Sequence, residues 1–408
     1  MSKFKLTFTL KQHTPLIHFQ ANQSGATLRA SELKPKFDRF LKKYAFDGSV
    51  SNEYKIDKDR EALKYKVKIE FIEVDVQDIK NKSYFGNMGK KPNDKDFRRA
   101  TIAEKSFKIE FNSFEENLLK TIEEYFASFL AITNFGTRQS KGFGSFYLDK
   151  SDNNYIDIFQ ALDKIDAEYI YANYYNKSTE EIFSYVEVIY PLIKTGINYP
   201  DYPKKTITLK NGKTKQVPDP EAGRAGRGKK ASYYKSYLFQ YMLEKNPPIG
   251  NEKRFIKENF FRRDVRIKSD NVTKKYVRAL LGICDGVEFK DHERRGKIEY
   301  KNNQIDRFKS PLTFKIVDNH LIIIANEINN NIFNQKFTFE NKAKGRTFSQ
   351  TILIPNSNEF NLSDFLYSFA EYFNNEIKLK EDDKKKNIFD KKIEEAKRTN
   401  FLRHQNAN

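Results

Sequence analysis

The segment Asn134-Phe135-Gly136-Thr137-Arg138-Gln139-Ser140-Lys141-Gly142-Phe143-Gly144-Ser145-Phe146 has the residue types of a phosphate-contacting loop. Its glycines allow positive φ and close approach of backbone to a ligand. Arg138 and Lys141 supply cations, Gln139 and Ser140 supply neutral donors, and the turn's N–H groups can form an anion-binding nest. No Gly-Lys-Ser/Thr opens a following helix, so this is not a P-loop, and the strand-before, helix-after context of a dinucleotide fingerprint is missing. A second basic centre runs from Ala222 to Lys230, with Arg224, Arg227, Lys229 and Lys230, and continues to Lys235. Arg-Gly segments of this kind can order on RNA. Tyr233, Tyr234 and Tyr237 beside it could stack on bases, but their place at the start of a helix favours packing inward.

Hydrolytic chemistry has fewer candidates. A metal-independent ribonuclease needs a general base near the 2′-hydroxyl, and His13 and His18, flanking Thr14-Pro15, are the residues that could supply it. A metal-dependent nuclease needs gathered carboxylates. Asp75 and Asp78 are close in sequence, but nothing adds a third ligand. The single cysteine, Cys284, excludes an intrachain disulfide and any Cys-clustered metal site. No cofactor or metal is expected.

Composition directs attention to a polyanion. The 408 residues carry 74 Lys and Arg against 55 Asp and Glu, a net +19. Residues 1–150 hold 28 basic and 20 acidic side chains, 151–203 hold 3 and 9, 204–278 hold 21 and 7, and 279–408 hold 22 and 19. Phe (36) and Tyr (23) supply enough apolar surface for a packed core. No apolar run approaches the ~20 residues of a membrane span, and the opening Met1-Ser2-Lys3-Phe4-Lys5 reads as a strand and not a signal peptide. A cytoplasmic protein without membrane contact is the expectation.

The elements that must hold these residues follow from periodicity. Lys3–Leu10 alternates Phe4, Leu6, Phe8 and Leu10 as a strand, and Ser31–Lys43 has Leu33, Phe37, Phe40 and Leu41 at helical spacing, with Ser31 as N-cap and Pro35 in the first turn. Strands over Lys64–Val74 and Ser106–Phe111, a helix after Ser113 and a strand Phe143–Leu148 complete a β-α-β-β-α-β order. That is the split βαβ arrangement of the ferredoxin-like (RRM-like) fold. Tyr190-Pro191-Leu192-Ile193 after a strand at Ile182–Ile189 echoes Thr14-Pro15-Leu16-Ile17, and Ser232-Tyr233-Tyr234-Lys235 echoes Ser31-Glu32-Leu33-Lys34. The expected fold class is therefore α+β with two ferredoxin-like units, the second degenerate with insertions. Residues 1–150 form the first unit and 151–181 an acidic helical connector. Residues 182–377 form the second unit, with a basic insertion over 196–230, and 378–408 a charged, helical, solvated tail.

A ferredoxin-like unit whose second helix runs into a glycine-rich loop and then a strand resembles the RAMP superfamily of CRISPR-associated proteins, and Gly136–Gly144 matches its loop. Thr14-Pro15-Leu16 with Leu28-Arg29-Ala30-Ser31-Glu32-Leu33-Lys34-Pro35-Lys36-Phe37-Asp38-Arg39-Phe40 is similar to the opening of the first-numbered subunit of Cmr-type effectors. Arg307-Phe308-Lys309-Ser310-Pro311-Leu312 resembles a late strand of the same family. The resemblance implies a non-catalytic subunit of a type III-B CRISPR ribonucleoprotein in antiviral defence. Its partners would be guide RNA near the 3′ end, the 5′ part of target RNA, and other Cmr subunits. The residues matching the family's RNA-facing motifs are Ser31, Lys34 and Arg39, with Gly136, Arg138, Ser140, Lys141, Gly142 and Gly144. Two alternatives remain open: a RAMP-type endoribonuclease that processes CRISPR repeat RNA through His13 or His18, and a basic scaffold for acidic proteins.

Overall fold

Alternation in the first strand sets up the first core. In β1 (Lys5–Gln12), Leu6, Phe8 and Leu10 are buried while Lys5 and Lys11 are exposed. A computed structural model of the chain describes residues 4–17, 27–57, 62–70, 72–78, 99–201, 204–208, 212, 214–218, 230–260, 272–283, 289–291, 296–301, 305, 307–343, 346–381 and 386–403. It divides into two units: Met1–Glu187 with Leu312–Asn326 and Leu402–Asn408, and Val188–Pro311 with Glu327–Phe401.

In the first unit β1 is followed by β2 (Leu16–Ile17), α1 (Ala30–Tyr44), β3 (Lys66–Ile69), β4 (Val74–Asp78), β5 (Arg99–Ala103), β6 (Phe107–Asn112), α2 (Glu116–Ile132) and β7 (Phe146–Leu148). Four of these strands form an antiparallel sheet in the order β3-β6-β1-β7. Its register sets Leu6 opposite Phe111, Phe8 opposite Ile109 and Leu10 opposite Phe107. The apolar faces of α1 and α2 close over these side chains. Phe37 lies 4.7 Å from Phe129, 5.4 Å from Phe126 and 5.8 Å from Phe111, ring centre to ring centre. Fully buried aromatic clusters of this kind cost about 3–5 kcal/mol per Phe→Ala change. The segment between β3 and β6 departs from a single strand-to-strand passage, because β2, β5 and β4 form a separate three-stranded sheet.

Two local expectations for α1 are corrected. The helix starts at Ala30 with Arg29 as N-cap, so Ser31 lies exposed in the first turn, and Pro35 stands inside the helix. An interior proline is unfavourable by ~3 kcal/mol. Burial of Leu33, Phe37, Phe40 and Leu41 on one face outweighs it.

After β7 come α3 (Ile158–Asp163), β8 (Glu168–Asn173) and α4 (Thr179–Lys194). The strands Leu312–Val317 and His320–Ala325 form a hairpin through a reversal at Asp318 (φ 48°). It pairs with β8, so this late segment builds a second sheet of the first unit. The strand expected at Ile182–Ile189 is instead part of α4. Ile182, Val186, Ile189 and Ile193 are all buried at helical spacing. A helix buried on most sides reads as a continuous apolar run, which periodicity alone does not separate from a strand. The echo of Thr14-Pro15 at Tyr190-Pro191 therefore falls on a helix.

The second unit holds small antiparallel pairs, Ile197–Asp201 with Lys230–Tyr234 and Lys204–Thr208 with Thr214–Pro218. A four-stranded sheet runs in the order Phe289–Asp291, Gly296–Lys301, Lys336–Ala343, Arg346–Leu353. Its helices are α5 (Tyr237–Leu243), α6 (Glu252–Phe260), α7 (Leu362–Glu371) and α8 (Ile388–Ala396). Tyr237 packs inward, stacked 4.7 Å from Tyr372 and 5.6 Å from Phe365. The charged tail is not solvated throughout. Asp390, Ile393 and Phe401 are buried, and Asp390 accepts hydrogen bonds from Tyr234 Oη (2.9 Å) and Lys380 Nζ (3.0 Å). The whole is a mixed α/β protein of several small, mostly antiparallel sheets and helices.

Candidate nucleic-acid interface

The glycine-rich loop leaves α2 at Thr133 and enters β7 at Phe146, and each of its three glycines has positive φ: Gly136 75°, Gly142 91°, Gly144 68°. Close backbone packing explains two of them. A Cβ on Gly136 would stand 2.5 Å from the Ile17 carbonyl oxygen, and one on Gly144 2.1 Å from that of Phe135. The loop closes on itself through Phe135 N–H to Gly144 O, 2.9 Å, and a bridge between Asn134 and Ser145. Its floor is the Thr14-Pro15-Leu16-Ile17 segment. Gly144 N–H donates to Pro15 O (2.9 Å) and Thr137 N–H to Ile17 O (2.7 Å). The Thr14 hydroxyl donates to Gly142 O (2.7 Å) while accepting the Ser145 N–H (2.8 Å). Two motifs more than a hundred residues apart in sequence are therefore one structural element.

This arrangement changes the expected chemistry. The N–H groups of Gly136, Thr137, Lys141, Gly142, Gly144 and Ser145 already donate within the protein. A backbone nest built from these N–H groups is thereby excluded, and the loop's other polar groups are its side chains. Arg138 sits at its tip with φ 57°. The left-handed region is uncommon for a residue with a Cβ and costs roughly 1–2 kcal/mol. Arg138, Gln139, Ser140 and Lys141 are all half-buried.

The first turns of α1 reach the same loop through residues that the sequence did not single out. Glu32 accepts the Gly136 N–H at 2.8 Å and the Lys36 ammonium at 2.7 Å. Lys36 also donates to Asn134 O and to Gln139 Oε1, each at 3.0 Å. Burial pulls the Lys36 pKa down while the Glu32 carboxylate holds it up. Lys34 faces the other way. Its ammonium binds Asp38 (2.8 Å) and Leu63 O (2.9 Å) and lies 4.0 Å from the centre of the Tyr65 ring. Lys34 and Asp38 stand at i,i+4, the spacing that brings side chains together on one helix face. Ser31 and Arg39 are exposed.

The late strand Leu312–Val317 fixes the loop from a third side. Phe314 N–H donates to Ser140 O (3.2 Å), and Asn134 Nδ2 donates to both Phe314 O (2.8 Å) and Gln139 O (2.7 Å). Lys315 is completely buried and ties both ends of the loop, donating to Thr133 O (2.8 Å) and Phe146 O (3.0 Å). Desolvation drives its pKa well down. Thr133 is the C-cap of α2, where helix carbonyls favour a cation. A lysine alternating with apolar residues in a strand gives no sign in sequence that it will point inward.

His13 lies beside the loop floor but is 9% exposed. Its Nδ1 accepts the Asp318 N–H at 3.1 Å and is 3.6 Å from the Asp318 carboxylate, and its Nε2 is buried without a protein partner. Burial pushes its pKa down to about 3, with Lys11, Lys150 and Lys315 adding to the effect and Asp318 opposing it. His13 borders a cavity of about 80 Å³ that Lys11, Lys150, Tyr155 and Asp318 also line. His18, Arg224, Arg227 and Lys229 lie outside the described residues. The backbone of Lys230 is in a strand, and Lys235 is exposed at the start of the turn before α5. Among the described residues no three His, Cys, Asp or Glu side chains gather as metal ligands, and no helix is long and apolar enough to cross a membrane.

Comparison with known families covers both units. The Cmr1 N-terminal domain matches residues 3–197, and the Cmr1 C-terminal domain matches residues 233–395. No curated protein matches the chain.

Proposed function

Because the chain belongs to the Cmr1 family of CRISPR-associated RAMP proteins, whose members are subunits of the type III-B Cmr complex, we propose that it is a non-catalytic RNA-binding subunit of that complex. In this reading it acts in the cytoplasm, contacting guide RNA near the 3′ end and the 5′ part of captured target RNA. The first sheet is read as ferredoxin-like. The order β-α-β-β-α-β along the chain and β3-β6-β1-β7 across the sheet supports this, with β2, β4 and β5 as additions.

The observation that carries RNA contact is Arg138, a cationic side chain held in left-handed backbone at the tip of a loop braced from three sides. A strained residue kept by its surroundings points to a functional demand at that position. Arg138, Lys141 and the exposed Arg39 would contact phosphates, and base pairing between guide and target would carry sequence specificity. The net +14 of residues 204–278 would add affinity through long-range charge.

Binding of a single-stranded RNA to the isolated chain, measured between 50 and 200 mM salt, tests the reading. Arg138→Ala with Lys141→Ala is expected to lower affinity about tenfold or more. It should also reduce the salt slope by about 0.7 for each phosphate that is no longer neutralised. A folded double variant with unchanged affinity and slope removes the loop from the interface.

A further inference from the structure

The two edges of β1 are used unequally. On one, β6 pairs with the strand from Lys5 to Leu10. On the other, β7 pairs only with Leu10, Lys11 and Gln12. Thr9 marks the direction of this second edge: its C=O accepts the Asp149 N–H at 2.9 Å, and its N–H donates to the Asp152 carboxylate. In an antiparallel sheet the main-chain groups of every second residue point to the same edge. Those of Thr7 and Lys5 therefore point there too, and among the described residues no strand pairs with them on that side.

A groove of about 380 Å³ runs along this edge, lined by Lys5, Leu6, Thr7, Thr9, Glu123 and Asp152. Its outer wall is an ordered turn, with Asp152 N–H bound to Asp149 O (2.9 Å) and Asn154 N–H to Asp152 Oδ1 (2.8 Å). The Lys5 ammonium is paired with Glu110 at 2.6 Å. The charges left to the groove are the carboxylates of Glu123 and Asp152. On a chain of net +19 this is a locally acidic channel, which disfavours phosphates and favours a cationic occupant.

We propose that this edge is a strand-addition site, filled by an extended, basic polypeptide segment of a neighbouring subunit. Unpaired main-chain donors and acceptors at the strand repeat fit a polypeptide. Lys5–Phe8 offers about 13 Å of edge, enough for a four-residue strand at ~3.3 Å per residue. A Lys or Arg of that strand meets Glu123. The inference rests on the chain's place in a multi-subunit assembly and not on RNA contact.

Hydrogen exchange of the full chain, alone and within the assembly co-purified from its host, tests this directly. The Thr7 amide exchanges quickly in the isolated chain and about tenfold or more slowly in the assembly, and the protection survives ribonuclease. Absence of protection overturns the proposal, and protection abolished by ribonuclease assigns the edge to RNA and overturns it equally. Glu123→Lys, at an exposed helix position, is expected to lower incorporation into the assembly about tenfold while thermal stability and RNA affinity of the isolated chain stay at wild-type values. A variant that incorporates normally overturns the proposal. Failure of RNA binding would show instead in the Arg138, Lys141 variant, which leaves this edge intact.

Discussion

Protonating His13 should destabilise the first unit, and the size of the effect follows from its surroundings. The imidazole is 9% exposed, and its Nδ1 lone pair is occupied by the Asp318 N–H. A proton on Nδ1 would break that hydrogen bond and place a cation among Lys11, Lys150 and Lys315, with Asp318 alone in opposition. The folded pKa is held at about 3 against 6.5 in the unfolded chain. Above pH 6.5 both states are neutral and stability is complete. As pH falls below 6.5 the unfolded chain takes the proton first, so stability falls by about 1.4 kcal/mol per pH unit until the folded pKa is reached. Between pH 7.5 and 5.0 this amounts to about 2 kcal/mol. Other groups titrate in the same range, so the informative quantity is the difference from His13→Asn, whose carboxamide oxygen can accept the Asp318 N–H without titrating. Urea unfolding followed by hydrogen exchange at β1 and β7 reads the transition of this unit. The stability gap between wild type and His13→Asn should shift by about 2 kcal/mol in favour of the variant from pH 7.5 to pH 5.0. Parallel pH profiles would refute the argument. The same result bears on the general-base role, because an imidazole with a pKa of about 3 is a weak proton acceptor.

Gly144→Ala should cost about 2–4 kcal/mol, because its φ of 68° is left-handed and its Cβ would meet the Phe135 carbonyl at 2.1 Å. Gly48→Ala, with φ 82° and nothing within 4 Å, should cost only about 1–2 kcal/mol, and thermal unfolding compares the two. Asn134→Ala removes the hydrogen bonds to Gln139 O and Phe314 O and should cost about 1–3 kcal/mol, measured in urea. Glu32→Ala leaves the Lys36 ammonium without its carboxylate and the Gly136 N–H without its acceptor, a loss of about 1–3 kcal/mol. Glu32→Gln keeps an acceptor for Gly136 and should lose less, so equal losses would place the effect on charge alone.

Legibility in sequence followed the length over which one interaction dominates. The strands and helices of the first sheet were readable because Leu6, Phe8 and Leu10, or Leu118, Ile122, Phe126 and Phe129, form one apolar face at a single period. α4 misled because both of its sides are buried, which erases that contrast. Pro35 misled because tertiary packing outweighed local propensity. At the loop, glycine spacing announced positive φ correctly. Nothing local could say that Glu32 would occupy the Gly136 N–H, or that Lys315 would cross more than 160 residues of sequence to tie Thr133 and Phe146. Such contacts depend on which elements become neighbours, and that is a property of the sheet order.

The glycine-rich loop therefore offers two sets of residues that can be tested separately. Thr14, Gly136, Gly142, Gly144, Asn134 and Lys315 spend their polar groups and conformational freedom inside the protein. Changes in this set should move stability first and RNA affinity only through a loosened loop. Arg138 and Lys141 are tested by the reverse pattern, a loss of salt-sensitive binding with the fold intact. The N–H groups of Gly136, Thr137, Lys141, Gly142, Gly144 and Ser145 already donate within the protein, which leaves few for a P-loop-like cradle. Contact through the side chains of Arg138 and Lys141 is the alternative on which the proposed function rests. A salt slope that changes with Arg138 and Lys141 but not with Gly142→Ala would distinguish this from a backbone cradle, in which the glycine change would matter as much as the charges.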